Sequence, residues 1–103
     1  MPDKNYKIYL NQVTRIIVYF SSDGNKILKF VVKLEYYYNN EWSEVERFDC
    51  HHSSIHKDIL NKKGKKKRVV TYDLVDTKSG LNFAIKDFKE NYIFFTWRFL
   101  NED

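Results

Sequence analysis

The sequence predicts an α+β fold in which an antiparallel sheet of four to five strands carries one long C-terminal helix on one face. Two patterns support this class: apolar and polar residues alternate through most of the chain, whereas apolar residues recur every three or four positions beyond about Thr77. The 103 residues include three glycines and one proline, which favours long regular elements over disorder. We expect a single domain spanning residues 1–103, large enough to bury a core without disulfides or a structural metal.

The first two strands are predicted from side-chain alternation and from the turn between them. Charged residues alternate with apolar even-numbered positions over residues 27–38, which indicates a half-buried strand. β-Branched residues are frequent over residues 13–20 and predict a preceding strand. Residues 21–25 are of the types that tolerate a tight reversal, so the two strands are expected to form a hairpin.

A third strand is expected over residues 42–51, but its pattern is irregular. Asn39 and Asn40 precede it and tolerate the positive φ values of a two-residue turn. Within the strand, Val45 and Phe48 fall on opposite faces. Either both faces are partly covered or a β-bulge lies between these two residues.

The rest of the chain is predicted to contain a hairpin and then the helix. Residues 55–60 and 68–72 have the pattern of two strands joined by a basic tip, although a short helix beginning at Ser53 is an alternative. Over residues 77–100 the apolar spacing becomes helical, and Asp76 or Ser79 is suited to cap the helix start. The predicted apolar stripe consists of Leu81, Ile85, Phe88, Tyr92, Phe95 and Phe99.

The positive charge of the chain is concentrated in one segment. Six of the seven residues 62–68 are Lys or Arg, so the rest of the chain has a net charge of −2 once these six charges are taken from the total of +4. Such a patch orients a polyanion against whatever lies beside it. The alternative is a solvated tip that keeps an edge strand from pairing with other chains. The residues predicted to bind nucleic acid are Lys62, Lys63, Lys65, Lys66, Lys67 and Arg68.

Cysteine content and hydropathy predict where the protein works. Cys50 is the single cysteine of the chain, so no internal disulfide can form, which favours a reducing, cytoplasmic setting. The first residues lack the apolar run of an export signal, and no stretch has the length needed to span a bilayer. We therefore expect no membrane partner. A homodimer stays open, because one helix covers only one face of a sheet.

All three histidines fall in one window of six residues that begins at His51, shortly after Arg47 and Asp49. If the third strand continues through His51, then Arg47, Asp49 and His51 share one face, with His52 and His56 just beyond. Histidine exchanges protons near neutral pH, so two imidazoles on either side of a phosphodiester are suited to act as general base and general acid. The window therefore predicts an acid–base site.

RNA is the expected substrate, since it carries the 2′-hydroxyl that such a site would activate. We predict His52 and His56 as the proton-transferring residues, with Arg47 or a lysine of the basic run stabilising charge on the phosphoryl oxygens. Asp49 or Asp58 is expected to fix a histidine tautomer. This chemistry needs no metal, and no cofactor is expected.

Two other interpretations of the window stay open. His51 or His52 with His56 and an aspartate would supply a two-histidine, one-carboxylate metal site, although the spacing matches no metal motif closely. A noncatalytic module that binds nucleic acid or a protein partner would use the same basic hairpin without turnover. Loss of RNA cleavage on replacing His56 separates the catalytic interpretation from the noncatalytic one.

The order of these elements resembles that of the small TumE-like proteins of toxin–antitoxin pairs. The resemblance rests on Arg47, Asp49, His51, His52 and His56 and covers the middle of the chain. It implies a prokaryotic toxin that acts on RNA and is neutralised by a partner antitoxin. The functional hypothesis is therefore a small RNA-acting protein with metal-independent ribonuclease activity.

Overall fold

The computed structural model is an antiparallel sheet of six strands, ordered along the sheet as they are along the chain, with one helix on one face. It describes residues 3–51, 54–73 and 76–102. The α+β class and the C-terminal helix are confirmed, but the expected strand number of four to five is wrong. The elements are β1 Asp3–Asn11, β2 Thr14–Asp23, β3 Lys26–Tyr38, β4 Glu41–His51, β5 Ser54–Leu60, β6 Lys66–Tyr72 and α1 Thr77–Asn101.

The additional strand is β1, which forms one edge of the sheet and pairs antiparallel with β2. Its residues are mostly exposed, and of its apolar side chains Ile8 and Leu10 pack in part against the core. In its sequence Tyr6, Ile8 and Leu10 occupy alternate positions, a strand-like pattern that the prediction did not include.

The two predicted hairpin turns are confirmed. Asn39 and Asn40 have φ values of 55° and 68°, the left-handed region that a two-residue turn between β3 and β4 requires. At the β2–β3 reversal Gly24 has a φ of 61°, which glycine adopts without a steric penalty. The alternative of a short helix after Ser53 is wrong, since residues 54–60 pair as a strand with both neighbours.

A β-bulge explains the irregular pattern of β4. Leu34 on β3 lies opposite Glu46, whereas the next residue, Glu35, lies opposite Glu44, so Val45 is the extra residue. The bulge turns both Val45 and Glu46 toward the helix side, where their exposed fractions are 0% and 1%. The bulge, rather than partial cover of both faces, is therefore the correct alternative.

The core lies between α1 and the sheet, with α1 packed mainly over β2, β3 and β4. Asp76 caps the helix, because its carboxylate accepts hydrogen bonds from the Ser79 amide at 2.8 Å and the Ser79 hydroxyl at 3.0 Å. No helix in the described part of the chain is long and apolar enough to cross a membrane. All six residues of the predicted stripe pack in this core: Leu81, Ile85, Phe88, Tyr92, Phe95 and Phe99.

Lys57 of β5 points into this core and is buried between β4 and α1. Its ammonium lies 2.7 Å from Glu46 Oε1 and 2.8 Å from Asp87 Oδ2. The same nitrogen lies 4.1 Å from the centre of the Phe95 ring and 5.2 Å from that of Phe48, so aromatic faces complete its surroundings. A lysine whose side chain is 7% exposed needs such compensation to remain charged.

Arg98 of α1 extends this network to the backbone of two strands. Its guanidinium donates at 3.1 Å to the carbonyl of Val45, the bulged residue of β4, and at 2.8 Å to the carbonyl of Leu60, where β5 ends. It also donates to Glu102 at 3.0 Å and lies 3.6 Å from Glu46. Carbonyls beside an interrupted ladder need partners, and one arginine serves both positions.

Burial and ion pairing shift the pKa values of the two central groups. Burial alone would lower the pKa of the Lys57 ammonium, but its hydrogen bonds to Asp87 and Glu46 raise that pKa above the ordinary value. Burial also raises the pKa of the Glu46 carboxyl, because the interior disfavours its charged form, and the nearby Lys57 and Arg98 offset this in part. Lys57 is thus held in its charged form.

We expect Lys57→Met to lower the free energy of unfolding by about 3 kcal/mol, since it leaves a buried carboxylate without its cation. The exposed Lys29 of β3 is the matched control, and Lys29→Met is expected to change stability by less than about 0.5 kcal/mol. Urea denaturation followed by circular dichroism measures both. Equal stabilities of the two variants would contradict a stabilising role for the network.

The stabilising effect of Lys57 is expected to vanish at alkaline pH. Its folded-state pKa lies above the ordinary value of 10.5, so the contribution is complete below pH 10.5 and is lost as the pH rises through the folded-state pKa. The difference in unfolding free energy between wild type and Lys57→Met should therefore stay constant from about pH 8 to pH 10 and shrink above that range. A difference that already shrinks below pH 9 would contradict the raised pKa.

Candidate functional site

The sheet face that points away from α1, here called the open face, carries three of the predicted site residues. Because Lys57 points inward, its neighbours His56 and Asp58 point outward to this face. Asp49 on β4 lies directly opposite His56, and Arg47 lies opposite Asp58. The structure thus brings Arg47, Asp49 and His56 together on adjacent strands.

The imidazole of His56 is exposed and held between two hydroxyl groups. Its Nε2 lies 3.1 Å from Ser54 Oγ, and its Nδ1 lies 3.2 Å from Thr71 Oγ1 on β6. A hydroxyl either donates or accepts a hydrogen bond, so this arrangement accommodates both the neutral and the protonated ring. Hydroxyls, rather than the predicted Asp49 or Asp58, are the partners that orient the imidazole.

Charged groups surround His56 on the open face. Arg47 lies 3.5 Å from Asp49 and 3.9 Å from Glu44, with its side chain 34% exposed. Lys66 of β6 lies 3.4 Å from Asp58. An open depression of about 660 Å³ is lined by Asp49, His56, Asp58, Lys66 and Val69.

Part of the predicted site lies outside the described residues. His52 is outside them, and so is the side chain of His51, although the backbone of His51 ends β4. Among the residues that the structure describes, no group of three or more His, Cys, Asp or Glu side chains has the geometry of a metal site. Cys50 is buried in the core. The paired role predicted for His52 and His56 stays a prediction.

The basic segment 62–68 forms the tip of the β5–β6 hairpin and the start of β6, as predicted. Three of its cations contact other groups: Lys62 reaches the Leu100 carbonyl at 3.4 Å, Lys66 pairs with Asp58, and Arg68 lies 3.1 Å from Glu102. Lys63 and Lys65 are exposed at the tip. Lys66 and Arg68 are exposed as well, so four cations of the segment are accessible to solvent.

Asn61 gives this tip a fixed conformation, and sequence reasoning did not single it out. The side chain is buried, and its Oδ1 accepts hydrogen bonds from the amides of Lys63 and Lys65, both at 3.0 Å. Gly64 completes the turn with a φ of 77°. Asn before a glycine-containing loop is a recognisable signal for such a turn.

Ser54 and Thr71 were also missed, although alternation along β5 would have found Ser54. Ser54, His56 and Asp58 are two residues apart on one strand and share a face. The pairing of β5 with β6 sets Thr71 directly opposite His56. Alternation along β5 therefore identifies the Ser54 hydroxyl, and the register of β5 with β6 identifies that of Thr71.

A second feature of the open face is an aromatic cluster at the far end of β3 and β4. Trp42 lies under the guanidinium of Arg15, which is 4.0 Å from its ring centre. Tyr37 packs beside Trp42 at 5.4 Å with an interplanar angle of 31°, and Tyr9 meets it edge-on at 6.3 Å. Tyr37 and Tyr9 remain 39% and 58% exposed.

The fold and this open face define a small α+β protein with a polar, histidine-containing sheet surface. Residues 1–103 match the model of a family described as a domain of unknown function, DUF7718, and the chain belongs to that family. Comparison with curated proteins and with solved structures finds no match. The site itself therefore carries the functional argument.

The open-face charges should contribute little to stability, in contrast to the buried network. We expect Arg47→Ala and His56→Ala each to lower the free energy of unfolding by less than about 1 kcal/mol, because exposed ion pairs are weak. Glu46→Ala, one residue from Arg47 but buried, should cost about 3 kcal/mol. Urea denaturation compares the three variants, and a loss for Arg47→Ala as large as that for Glu46→Ala would mean that Arg47 is structural.

Proposed function

We propose that this protein binds RNA on its open face and cleaves it without a metal, with His56 as a proton-transferring residue. The observation that supports this most directly is the exposed imidazole of His56, oriented by Ser54 and Thr71 beside Asp49 and Arg47. Neither hydroxyl locks the ring into one protonation state. An accessible imidazole of this kind is suited to take and return a proton.

In the proposed reaction, a general base removes the proton from a ribose 2′-hydroxyl, and the 2′-oxygen attacks the adjacent phosphorus. The bond from phosphorus to the 5′-oxygen breaks, and a general acid protonates that oxygen. The products are a 2′,3′-cyclic phosphate and a 5′-hydroxyl. His56 supplies one of these two functions, and His52 is the predicted source of the other.

Cations beside His56 support binding of the phosphodiester. Arg47 is one strand away and keeps 34% of its side chain exposed, so its guanidinium is accessible to a phosphate. Lys66 lines the same depression as His56. Both side chains now pair with carboxylates, Arg47 with Asp49 and Lys66 with Asp58, and a phosphate would exchange with these exposed pairs at low cost.

A noncatalytic module is the second candidate, and a patch on α1 favours it. Ile93, Phe94 and Trp97 are 71%, 61% and 60% exposed, and the Phe94 and Trp97 rings stack on one another. Exposed apolar patches of this kind mark protein interfaces. A protein partner or a second copy of the chain, bound at this patch, would require no turnover.

Cleavage of total cellular RNA tests the catalytic proposal. We expect the wild-type protein to cleave RNA equally with and without EDTA, and His56→Gln to reduce the rate by about 10²–10⁴-fold through loss of acid–base catalysis. Gel electrophoresis of the RNA and detection of 2′,3′-cyclic phosphate ends measure the reaction.

Lys78→Gln is the matched control, because Lys78 is exposed at the start of α1, away from the open face. This variant should cleave like the wild type. Loss of cleavage in the presence of EDTA would indicate that the histidines bind a metal. Intact RNA in every sample would favour the noncatalytic module.

A further inference from the structure

The aromatic cluster of Tyr9, Tyr37 and Trp42 lies on the same face as His56. Two of its residues, Tyr9 and Tyr37, are 58% and 39% exposed. Building on the proposed function, we infer that the substrate is single-stranded RNA lying along β4, with bases stacked on Tyr37 and Tyr9 and the scissile phosphate at His56. Bases of a single strand stack on exposed aromatic rings without sequence preference. The inference rests on three observations, which concern ring exposure, charge along the path and path length.

The rings are presented in a fixed orientation. Trp42 contacts both the Arg15 guanidinium, 4.0 Å from its ring centre, and the neighbouring Tyr37 ring, 5.4 Å away. Arg15 is itself fixed by an ion pair with Glu35 at 2.8 Å. Tyr37 is 39% exposed and packs against the Trp42 ring, which Arg15 contacts in turn. The exposed surface of Tyr37 is therefore held in a fixed orientation.

The charges between the cluster and His56 favour a phosphate backbone. Lys33 of β3 lies directly opposite Arg47 of β4, which makes a cationic pair midway along the path. Carboxylates also lie along this path, and each pairs with a cation: Glu35 with Arg15, Glu44 and Asp49 with Arg47, and Asp58 with Lys66. A phosphate would exchange with the exposed pairs of Arg47 and Lys66. The path therefore runs from aromatic rings through a cationic pair to the imidazole.

The length of this path suits a short single strand. Trp42 and Asp49 are separated along β4 by roughly 20 Å, given about 3.3 Å per strand residue and the bulge between them. A site of this size holds a few nucleotides, in the range of about 4–16 known for single-strand binders. Duplex RNA keeps its bases stacked inside the helix and cannot offer them to Tyr37.

Trp42 fluorescence tests the inference without any catalytic readout. Trp97→Phe removes the other tryptophan, which lies exposed on α1, and leaves Trp42 as the reporter. The probes are a short 2′-O-methyl RNA of mixed sequence, which lacks the reacting hydroxyl, and a duplex of the same length. We expect the single strand to quench Trp42 and to bind at least about tenfold more tightly than the duplex.

Variants at Tyr37 separate stacking from general attraction. In the same background, Tyr37→Leu should weaken single-strand binding about tenfold, whereas Tyr37→Phe should bind like the parent because it keeps the ring. Phe94→Leu on α1 is the matched control, since Phe94 is exposed on the helix rather than on the open face, and it should have no effect.

The outcomes distinguish this inference from the proposed function. Equal binding of single strand and duplex, unchanged by Tyr37→Leu but abolished by Lys63→Ala with Lys65→Ala, would overturn the stacking site and leave RNA binding intact. No binding of either RNA would overturn both. Loss of affinity in Tyr37→Leu with retention in Tyr37→Phe would support the site, whatever the cleavage assay shows.

Discussion

The inward position of Lys57 is the constraint on which the rest of this molecule depends. A charged ammonium in an apolar core requires partners, and Glu46 and Asp87 supply them from β4 and α1. A slip of β5 by one residue would bury His56 or Asp58 in place of Lys57 and break both ion pairs. The register of β5, and with it the outward direction of His56, is therefore fixed by an interaction on the opposite side of the sheet.

The molecule thus has two separate groups of titratable residues with different roles. The buried group of Glu46, Lys57 and Arg98 ties the bulge of β4 and the end of β5 to the helix. The raised pKa of Glu46 follows from burial, and that of Lys57 follows from its ion pairs. Shifted values often mark functional sites, but here the shifted groups are enclosed by the core and serve the fold. The open-face group around His56 is accessible and contributes little to that packing.

Most of the fold followed from local patterns, and the failures have identifiable causes. The alternation of β3 and the helical stripe of α1 reflect burial on one side, which sequence records directly. The strand β1 was missed although Tyr6, Ile8 and Leu10 alternate along it. The burial of Lys57 was not predicted, because one of the carboxylates that pair with it, Asp87, lies thirty residues away in the sequence. Local composition does not reveal partners at that separation. Arg47, Asp49 and His56 were predictable as a cluster because they are close in sequence. Alternation also places Ser54 beside His56, whereas Thr71 needed the β5–β6 register.

The uncovered face raises a separate question, namely why a six-stranded sheet with one helix leaves this surface open. The helix α1 covers the opposite face, and ion pairs such as Arg15 with Glu35 and Arg47 with Glu44 place charged groups on this one. Any charged residues would make such a surface polar, however, and a polar surface does not require an imidazole between two hydroxyls or tyrosine rings beside a tryptophan. The imidazole and its hydroxyls lie on β5 and β6, the aromatic rings lie on β1, β3 and β4, and Lys33 and Arg47 lie between the two groups. An arrangement of that order is what an extended polyanion with stackable bases would need, and neither core packing nor edge protection accounts for it.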